Sequence, residues 1–275
     1  MNKKSLSESD ICDQFITPAV HAAGWDKFTQ VSRNFYFTAG RVEVRGKLAS
    51  RGKRKFADYA LFYQQNLPIA VIEAKDNTYS VGAGMEQALA YAVTLGVPFV
   101  FSSNGDGFLF HDRTGQSTPV EQTLTLAEFL SPAKLWAMYR AHKGLDDQTE
   151  KVVRYPFYDD GKGREVRYYQ RIAVDRVVQA VANGERRLLL VMATGTGKTY
   201  TAFQIIWRLW KAKVVKRVLF LADRNILVDQ TKGGDFKPFG QVMTKVEHRN
   251  VDKSYGKHPA TPTARIPRRP KPPVT

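Results

Sequence analysis

The chain has 275 residues, of which 43% are hydrophobic, so it can hold two packed domains and is not a disordered polymer. Its single cysteine, Cys12, excludes an internal disulfide and a cysteine-based metal cluster, and its apolar runs are too short to span a bilayer. The formal net charge of +16 favours a polyanionic partner, and the lack of a signal-peptide pattern predicts a cytoplasmic protein without a membrane segment.

The first half of the chain shows alternating strand and helix patterns that predict a mixed α/β domain. A helical apolar stripe covers residues 5–25, and two pairs have capping-box spacing at its start: Ser5 with Glu8, and Ser7 with Asp10. Strands are predicted around 35–37, 56–63, 69–74, 98–102 and 107–111, and helices over 85–95 and 126–141.

The second half of the chain predicts the opening of a parallel α/β sheet. After a polar linker over 142–165, the order is helix 168–182, strand 188–192, helix 200–211 and strand 218–222. The end of the chain, residues 254–275, is rich in proline and basic residues, and this composition predicts a tail without regular structure.

Residues 192–199 have the composition of a phosphate-binding loop. Gly195 and Gly197 let backbone N–H groups turn toward phosphate oxygens at the start of the following helix. Lys198 is placed to contact the β- and γ-phosphates, and the Thr199 hydroxyl to bind Mg²⁺. Met192 replaces the first glycine of the general motif, so the segment follows the A-x-x-G-x-G-K-T variant of helicases. The predicted ATP-binding residues of the loop are Gly195, Thr196, Gly197, Lys198 and Thr199.

Three residues in the first domain have the arrangement of a metal-dependent nuclease. Asp58 precedes Glu73 by one predicted hairpin, and Glu73 and Lys75 project from the same face of a strand. Paired strands bring Asp58 beside them, so the two carboxylates can hold Mg²⁺. Lys75 can then orient a water molecule or offset charge on the phosphate. Glu8 could approach the metal from the first helix, although its capping position is an ordinary explanation for it.

Two further groups of residues are candidates for positioning DNA. Gln87 and Tyr91 lie four apart on one helix face, although a core tyrosine beside a solvated glutamine is the ordinary alternative. A basic run precedes the nuclease centre and contains Arg41, Arg45, Lys47, Arg51, Lys53, Arg54 and Lys55. This run is either a solvated loop or hairpin or a contact with the DNA backbone. Its position favours the contact, through Arg51, Lys53 and Arg54.

The order of these motifs resembles that of the R subunit (HsdR) of type I restriction–modification enzymes, which combines restriction and motor functions. The matching segments are 57–59, 72–75, 87–91, 104–105, 169–170, 192–199 and 220–224. The resemblance implies a PD-(D/E)xK nuclease domain with a restriction-endonuclease-like mixed sheet over 1–141. A RecA-like helicase lobe of superfamily 2 would begin within 166–253. Gln170 would then read adenine, Mg²⁺ and ATP would be the cofactors, and double-stranded DNA and the methylation and specificity subunits would be the partners.

The chain also departs from that family. No D-E-x-H-type acidic motif and no second motor lobe follow the phosphate loop. We therefore expect a truncated or frameshifted R subunit whose nuclease domain can cleave DNA with Mg²⁺, but which lacks ATP hydrolysis and translocation. Two alternatives remain open: a non-catalytic remnant that binds DNA or nucleotide, and a fragment of another superfamily 2 helicase with an appended nuclease.

Overall fold

The computed structural model of the chain describes residues 2–38, 42–45, 48–51, 54–222, 231–245 and 261–265. These residues form two compact units. The first unit comprises Met1–Glu150 and Val166–Ile172, and the second comprises Lys151–Glu165 and Ala173–Thr275. No helix among the described residues is long and apolar enough to cross a membrane.

A short helical region begins the first unit. It consists of a 3₁₀ turn at Lys3–Ser5, α1 (Glu8–Ile11), a π-helical turn at Cys12–Ile16, and α2 (Thr17–Ala22). Pro18 lies in the first turn of α2 and has no N–H to continue the regular ladder, which accounts for the wider turn before it. The predicted helix is therefore present, but it is interrupted.

The first unit is built on a mixed sheet, as predicted, and the sheet has six strands where five were predicted. The strands of this unit are β1 (Val31–Thr38), β2 (Val42–Arg45), β3 (Leu48–Arg51), β4 (Arg54–Gln64), β5 (Leu67–Ala74), β6 (Phe99–Ser103), β7 (Gly107–Asp112) and β8 (Glu121–Thr125). The sheet has the order β1-β4-β5-β6-β7-β8, and β2 and β3 form a separate antiparallel hairpin. Strands β5 and β6 are parallel, and all other neighbours in the six-stranded sheet are antiparallel.

A helix packs against this sheet and supplies the crossover between its parallel strands. This helix, α3 (Met85–Leu95), has the predicted bounds and ends at Gly96, whose positive φ of 69° forms the C-terminal cap. The apolar face of α3 joins the strands in one buried cluster, whose members are Phe37, Ala57, Val71, Met85, Ala88, Ala92, Leu95, Val97 and Val100. Strand β8 escaped prediction because its residues are polar and its burial alternates at the sheet edge.

The predicted linker over 142–165 contains regular structure. Helix α4 (Pro132–Lys143) continues into this range, and α5 (Asp147–Val153) lies within it. The Trp136 indole donates a hydrogen bond of 2.8 Å to Glu150, and Arg140 forms an ion pair of 2.9 Å with Asp147. These contacts hold the start of α5 against α4. Asp147 and Glu150 lie in the range predicted as a linker, but they form contacts between two helices.

The helix predicted over 168–182 is divided between the two units. Helix α6 (Tyr168–Ala182) has the predicted bounds, but its first turn belongs to the first unit. There Tyr168 packs edge-on against Phe37, and Ile172 lies against Gly96. These aromatic and aliphatic contacts join residues that are far apart in the sequence, so the composition of the linker does not reveal them.

The second unit contains a three-stranded parallel sheet and helix α7 (Lys198–Lys211). The strands β9 (Arg217–Leu221), β10 (Thr244–Lys245) and β11 (Thr261–Arg265) have the order β10-β11-β9. Strand β11 shows that the prediction of a tail without regular structure is wrong for residues 261–265, and the rest of 254–275 lies outside the described residues. Its Pro262 pairs in register with Val218 of β9 and lies beyond the two-residue β10, so its missing N–H interrupts no ladder on that side.

The strand predicted over 188–192 does not form. The side chains of Leu189 and Val191 are 90% and 83% exposed. A strand requires a partner for its backbone groups, and β9 pairs instead with β11. The apolar run therefore leads into the phosphate-binding loop without joining the sheet.

Candidate functional site

The predicted carboxylate pair meets where β4 and β5 run side by side. The Ala74 amide donates a hydrogen bond of 2.7 Å to the Asp58 Oδ2 atom, so Asp58 is fixed beside the strand that carries Glu73. Glu73 is only 3% exposed, and its Oε2 atom is buried without a hydrogen-bond partner. A buried carboxylate oxygen without a partner is costly, so a cation at this position would be stabilising.

The electrostatics of the pair agree with this geometry. Burial, and secondly the charge of Asp58, raises the pKa of Glu73 to about 7. Burial likewise raises the pKa of Asp58, although the Ala74 amide and Lys75 act in the opposite direction. Without a metal ion, the Glu73 carboxylate therefore resists ionisation near neutral pH, and the charge of Asp58 adds to that resistance.

Lys75 lies beside the pair, as its spacing from Glu73 predicted. Its Nζ atom donates a hydrogen bond of 3.1 Å to Glu73 Oε1 and lies 3.8 Å from Glu8 Oε2. Burial alone would lower the pKa of the Lys75 ammonium, but its contacts with Glu73, Glu8 and Asp58 raise it. Lys75 is therefore a cation at neutral pH and cannot accept a proton from water.

The start of α3 supports the carboxylate pair, and sequence reasoning missed the residues responsible. The Gly84 amide donates a hydrogen bond of 3.0 Å to the Ser102 hydroxyl, which itself donates to the carbonyl of Val81 at 2.7 Å. A Cβ atom on Gly84 would lie 2.9 Å from Glu73 Cγ. Only glycine lets the helix start approach Glu73 this closely, and neither residue has a recognisable sequence signal.

The structure also brings Gln87 and Tyr91 toward this site. The Gln87 amide donates a hydrogen bond of 2.9 Å to the Tyr91 hydroxyl, and the Tyr91 ring packs edge-on against Phe37. Burial raises the pKa of Tyr91, and Glu73 and Asp58 raise it further, which places the phenol within the field of the acids. The predicted pair is thus a hydrogen-bonded unit beside the site, and its contact with DNA stays a prediction.

The structure describes the backbone of two of the three basic residues that were predicted to contact DNA. Arg51 ends β3 and Arg54 begins β4, whereas Lys53 lies outside the described residues. The hairpin β2–β3 therefore connects the ends of β1 and β4, the strand that carries Asp58. Part of the basic run therefore forms a hairpin, and whether its side chains are solvated or contact DNA stays a prediction.

The phosphate-binding loop of the second unit has its expected glycine geometry. Gly195 and Gly197 have positive φ angles of 78° and 83°, and Gly197 forms the N-terminal cap of α7. The Lys198 ammonium folds back over the loop and donates a hydrogen bond of 3.3 Å to the Ala193 carbonyl. The Thr196 hydroxyl donates to the same carbonyl at 2.6 Å, and Thr199 occupies the first turn of the helix.

Gln170 and the segment 220–224 also belong to the predicted motor-lobe motifs. Gln170 is buried in the first turn of α6, and its Oε1 atom accepts a hydrogen bond of 3.1 Å from the Arg167 amide. This contact has the geometry of a helix cap, so adenine recognition by Gln170 stays a prediction. The segment 220–224 begins on β9, but its residues 223–224 lie outside the described residues.

Among the described residues there is no cluster of three or more histidine, cysteine, aspartate or glutamate side chains suited to a metal ion. The candidate nuclease site therefore has two protein carboxylates. Two carboxylates suit Mg²⁺, which usually keeps several water ligands and takes others from substrate phosphates.

Two protein families match separate parts of the chain. The family described as "Type I restriction enzyme R protein N terminus" matches residues 27–118, which contain the carboxylate pair, Lys75, Gln87 and Tyr91. The chain corresponds to an N-terminal portion of the R subunit of type I restriction enzymes. The family described as "Type III restriction enzyme, res subunit" matches residues 164–262, which contain the phosphate-binding loop. The second unit is accordingly a helicase-like lobe.

Individual relatives support this assignment. The EcoAI type I restriction enzyme endonuclease subunit of Escherichia coli is 51% identical over 94% of the chain. The EcoKI endonuclease subunit of Escherichia coli K12 is 28% identical over 84% of it. A solved fragment of an HsdR subunit of a type I restriction enzyme from Vibrio vulnificus YJ016 is 37% identical, with a TM-score of 0.76 over 95% of the chain.

The chain spans only part of each relative. It covers 32% of the EcoAI subunit, 24% of the EcoKI subunit and 47% of the Vibrio fragment. The match to R-subunit N-terminal sequences confirms the family that the motifs predicted.

Proposed function

We propose that the first unit is a Mg²⁺-dependent DNA endonuclease domain and that the second unit binds ATP through its phosphate loop. The observation that carries the nuclease assignment is the buried, unpartnered Oε2 atom of Glu73 beside Asp58 and Lys75. The relatives are named endonuclease subunits, which agrees with this assignment.

The carboxylate pair is the part of the site that would hold the metal. Asp58 and Glu73 both have raised pKa values, and a divalent cation would let both carry negative charge in a buried position. A bound Mg²⁺ would supply Lewis-acid stabilisation of the phosphodiester and lower the pKa of a bound water. The hydrogen bond from the Ala74 amide would keep the Asp58 carboxylate oriented toward Glu73.

Lys75 would act on the phosphate as a cation. Its ammonium lies 3.1 Å from Glu73 and could donate hydrogen bonds to a phosphate oxygen while the negative charge develops. Tyr91, held by Gln87, and the basic residues Arg51, Lys53 and Arg54 would contact the DNA backbone and set its position.

For ATP, the loop offers backbone amides at the N-terminus of α7, an exposed Lys198 and a neighbouring Thr199 hydroxyl. Nucleotide phosphates would replace the Ala193 carbonyl as the partner of the Lys198 ammonium. The partners we propose are double-stranded DNA and the methylation and specificity subunits of a type I restriction complex.

The nuclease proposal is tested by incubating supercoiled plasmid with the purified full chain in Mg²⁺ or in EDTA. The wild-type chain should nick the plasmid only with Mg²⁺, and Glu73→Ala and Lys75→Ala should abolish nicking. Glu86→Ala removes an exposed acid from the start of α3 and serves as the matched control. Nicking that survives both active-site substitutions would contradict the proposal, and so would a wild-type chain that fails to nick.

A further inference from the structure

Glu8 contributes a third carboxylate near the candidate nuclease site, and the helix cap does not use it. The reciprocal capping box of α1 is made by Ser7 and Asp10, at 3.0 and 3.2 Å. The other pair with capping spacing does not form, because the Ser5 hydroxyl donates to the Asn2 carbonyl. Capping therefore does not explain the position of the Glu8 side chain.

The Glu8 carboxylate approaches Lys75 from a different element than Glu73 does. Its Oε2 atom lies 3.8 Å from the Lys75 Nζ atom, while Glu73 Oε1 lies 3.1 Å from the same atom. Glu8 is about half exposed and Lys75 is 22% exposed, so the pair is partly shielded from water. Lys75 thus has two carboxylate partners on two different elements, α1 and the end of β5.

These two partners differ in what a metal ion would do to them. A divalent cation bound by Asp58 and Glu73 would neutralise part of the charge of Glu73, and it would repel the ammonium of Lys75. Glu8 lies on a different element from Asp58 and Glu73, so its carboxylate could stay beside Lys75 while a metal ion engages Glu73.

We propose that Glu8 is a positioning residue that holds the Lys75 ammonium in the cleavage site when metal occupies the Asp58–Glu73 pair. The proposal rests on the nuclease function proposed above. Glu8 acts through Lys75 and touches neither the metal nor the DNA. Its removal should lower the rate of cleavage while the Mg²⁺ concentration for half-maximal activity stays within about twofold.

The kinetic arm of the test compares Glu8→Gln and Glu8→Asp with Asp13→Asn. Asp13 lies in the same helical region but pairs with Arg33, so Asp13→Asn is a matched loss of an acid. Glu8→Gln should lower the nicking rate about fivefold, equivalent to about 1 kcal/mol. Glu8→Asp withdraws the carboxylate and should lower it similarly, whereas Asp13→Asn should not. A several-fold rise in the Mg²⁺ requirement with an unchanged maximal rate would overturn the positioning role.

A second arm requires neither metal nor cleavage. Lysines are reductively methylated with ¹³C, and the Lys75 signal is assigned by its loss in Lys75→Arg. The Glu73→Gln variant lacks the charge of Glu73. In this variant, the contact with Glu8 should keep the chemical shift of Lys75 different from that of exposed lysines. In the double variant Glu73→Gln with Glu8→Gln, the signal should move to that position, whereas Glu73→Gln with Asp13→Asn should leave it in place.

The two arms separate the possible failures. A double variant whose Lys75 signal matches that of Glu73→Gln would overturn the role of Glu8, whatever the chain does to DNA. A wild-type chain that never nicks DNA, together with the expected signal change, would refute the nuclease function and leave the contact of Glu8 with Lys75 established.

Discussion

Replacing Glu73 with glutamine should stabilise the metal-free chain at alkaline pH while destroying metal-dependent cleavage. Glutamine is isosteric with glutamate and keeps an oxygen for Lys75, but it removes a charge that is almost completely buried. Because Mg²⁺ is absent in EDTA, the wild-type chain bears the cost of that charge without compensation.

The magnitude follows from the shift in pKa. For Glu73 the value rises from 4.5 to about 7, which corresponds to about 3 kcal/mol at most. Since the folded-state pKa lies above the unfolded-state value, protonation stabilises the fold. This stabilisation is complete below pH 4.5 and is lost as the pH rises through about 7. For a domain of this size, 3 kcal/mol is roughly 6–12 °C in melting temperature.

Differential scanning calorimetry of the full chain in EDTA at pH 5 and pH 8 measures the effect. Glu73→Gln should melt several degrees above the wild type at pH 8 and close to it at pH 5. Added Mg²⁺ should raise the melting temperature of the wild type more than that of the variant. Glu86→Gln, at an exposed position of α3, should melt like the wild type at both pH values. A Glu73→Gln variant that melts at or below the wild type at pH 8 would refute the reasoning.

Three further experiments test other parts of the molecule. Lys198→Ala should abolish the rise in melting temperature of the second unit with Mg²⁺ and ATP, while Lys211→Ala at the other end of α7 should retain it. Alanine at Arg51, Lys53 or Arg54 should each reduce the slope of log affinity for DNA against log salt by about 0.9, measured by fluorescence anisotropy, and Lys134→Ala on α4 should leave it unchanged. Gly105→Ala should cost about 1–3 kcal/mol in urea unfolding, because Gly105 has φ 83° and a Cβ would lie 2.8 Å from Ile11. Gly115→Ala shares a positive φ of 71° but has open space around it, so an equal loss there would contradict the role of the Ile11 contact.

Local patterns predicted the parts of the fold that depend on nearby residues. The α3 and α6 patterns gave bounds that the structure repeats, because helical periodicity and capping act over a few residues. The spacing of Glu73 and Lys75 likewise predicted that they lie together, since alternation along a strand is a local property.

Elements that need distant partners were harder to predict. The apolar run at 188–192 has the composition of a strand, but β9 pairs with β11, and the run remains outside the sheet. Strand β11 contains a proline in a proline-rich segment, and its pairing with β9 and the short β10 tolerates that proline. In both cases, the pairing of backbone groups with residues far along the chain decided the outcome.

The sequence by itself determined the family, the nuclease and phosphate-loop motifs, and the identity of the residues that carry them. Each of these depends on residue type and short spacing, which the linear chain records directly. Only the tertiary structure decided that Glu73 has a buried oxygen without a partner, that Gly84 approaches it, and that Glu8 reaches Lys75. The physical reason is that burial and contact depend on which distant elements pack together, and the electrostatics of the site follow from that packing.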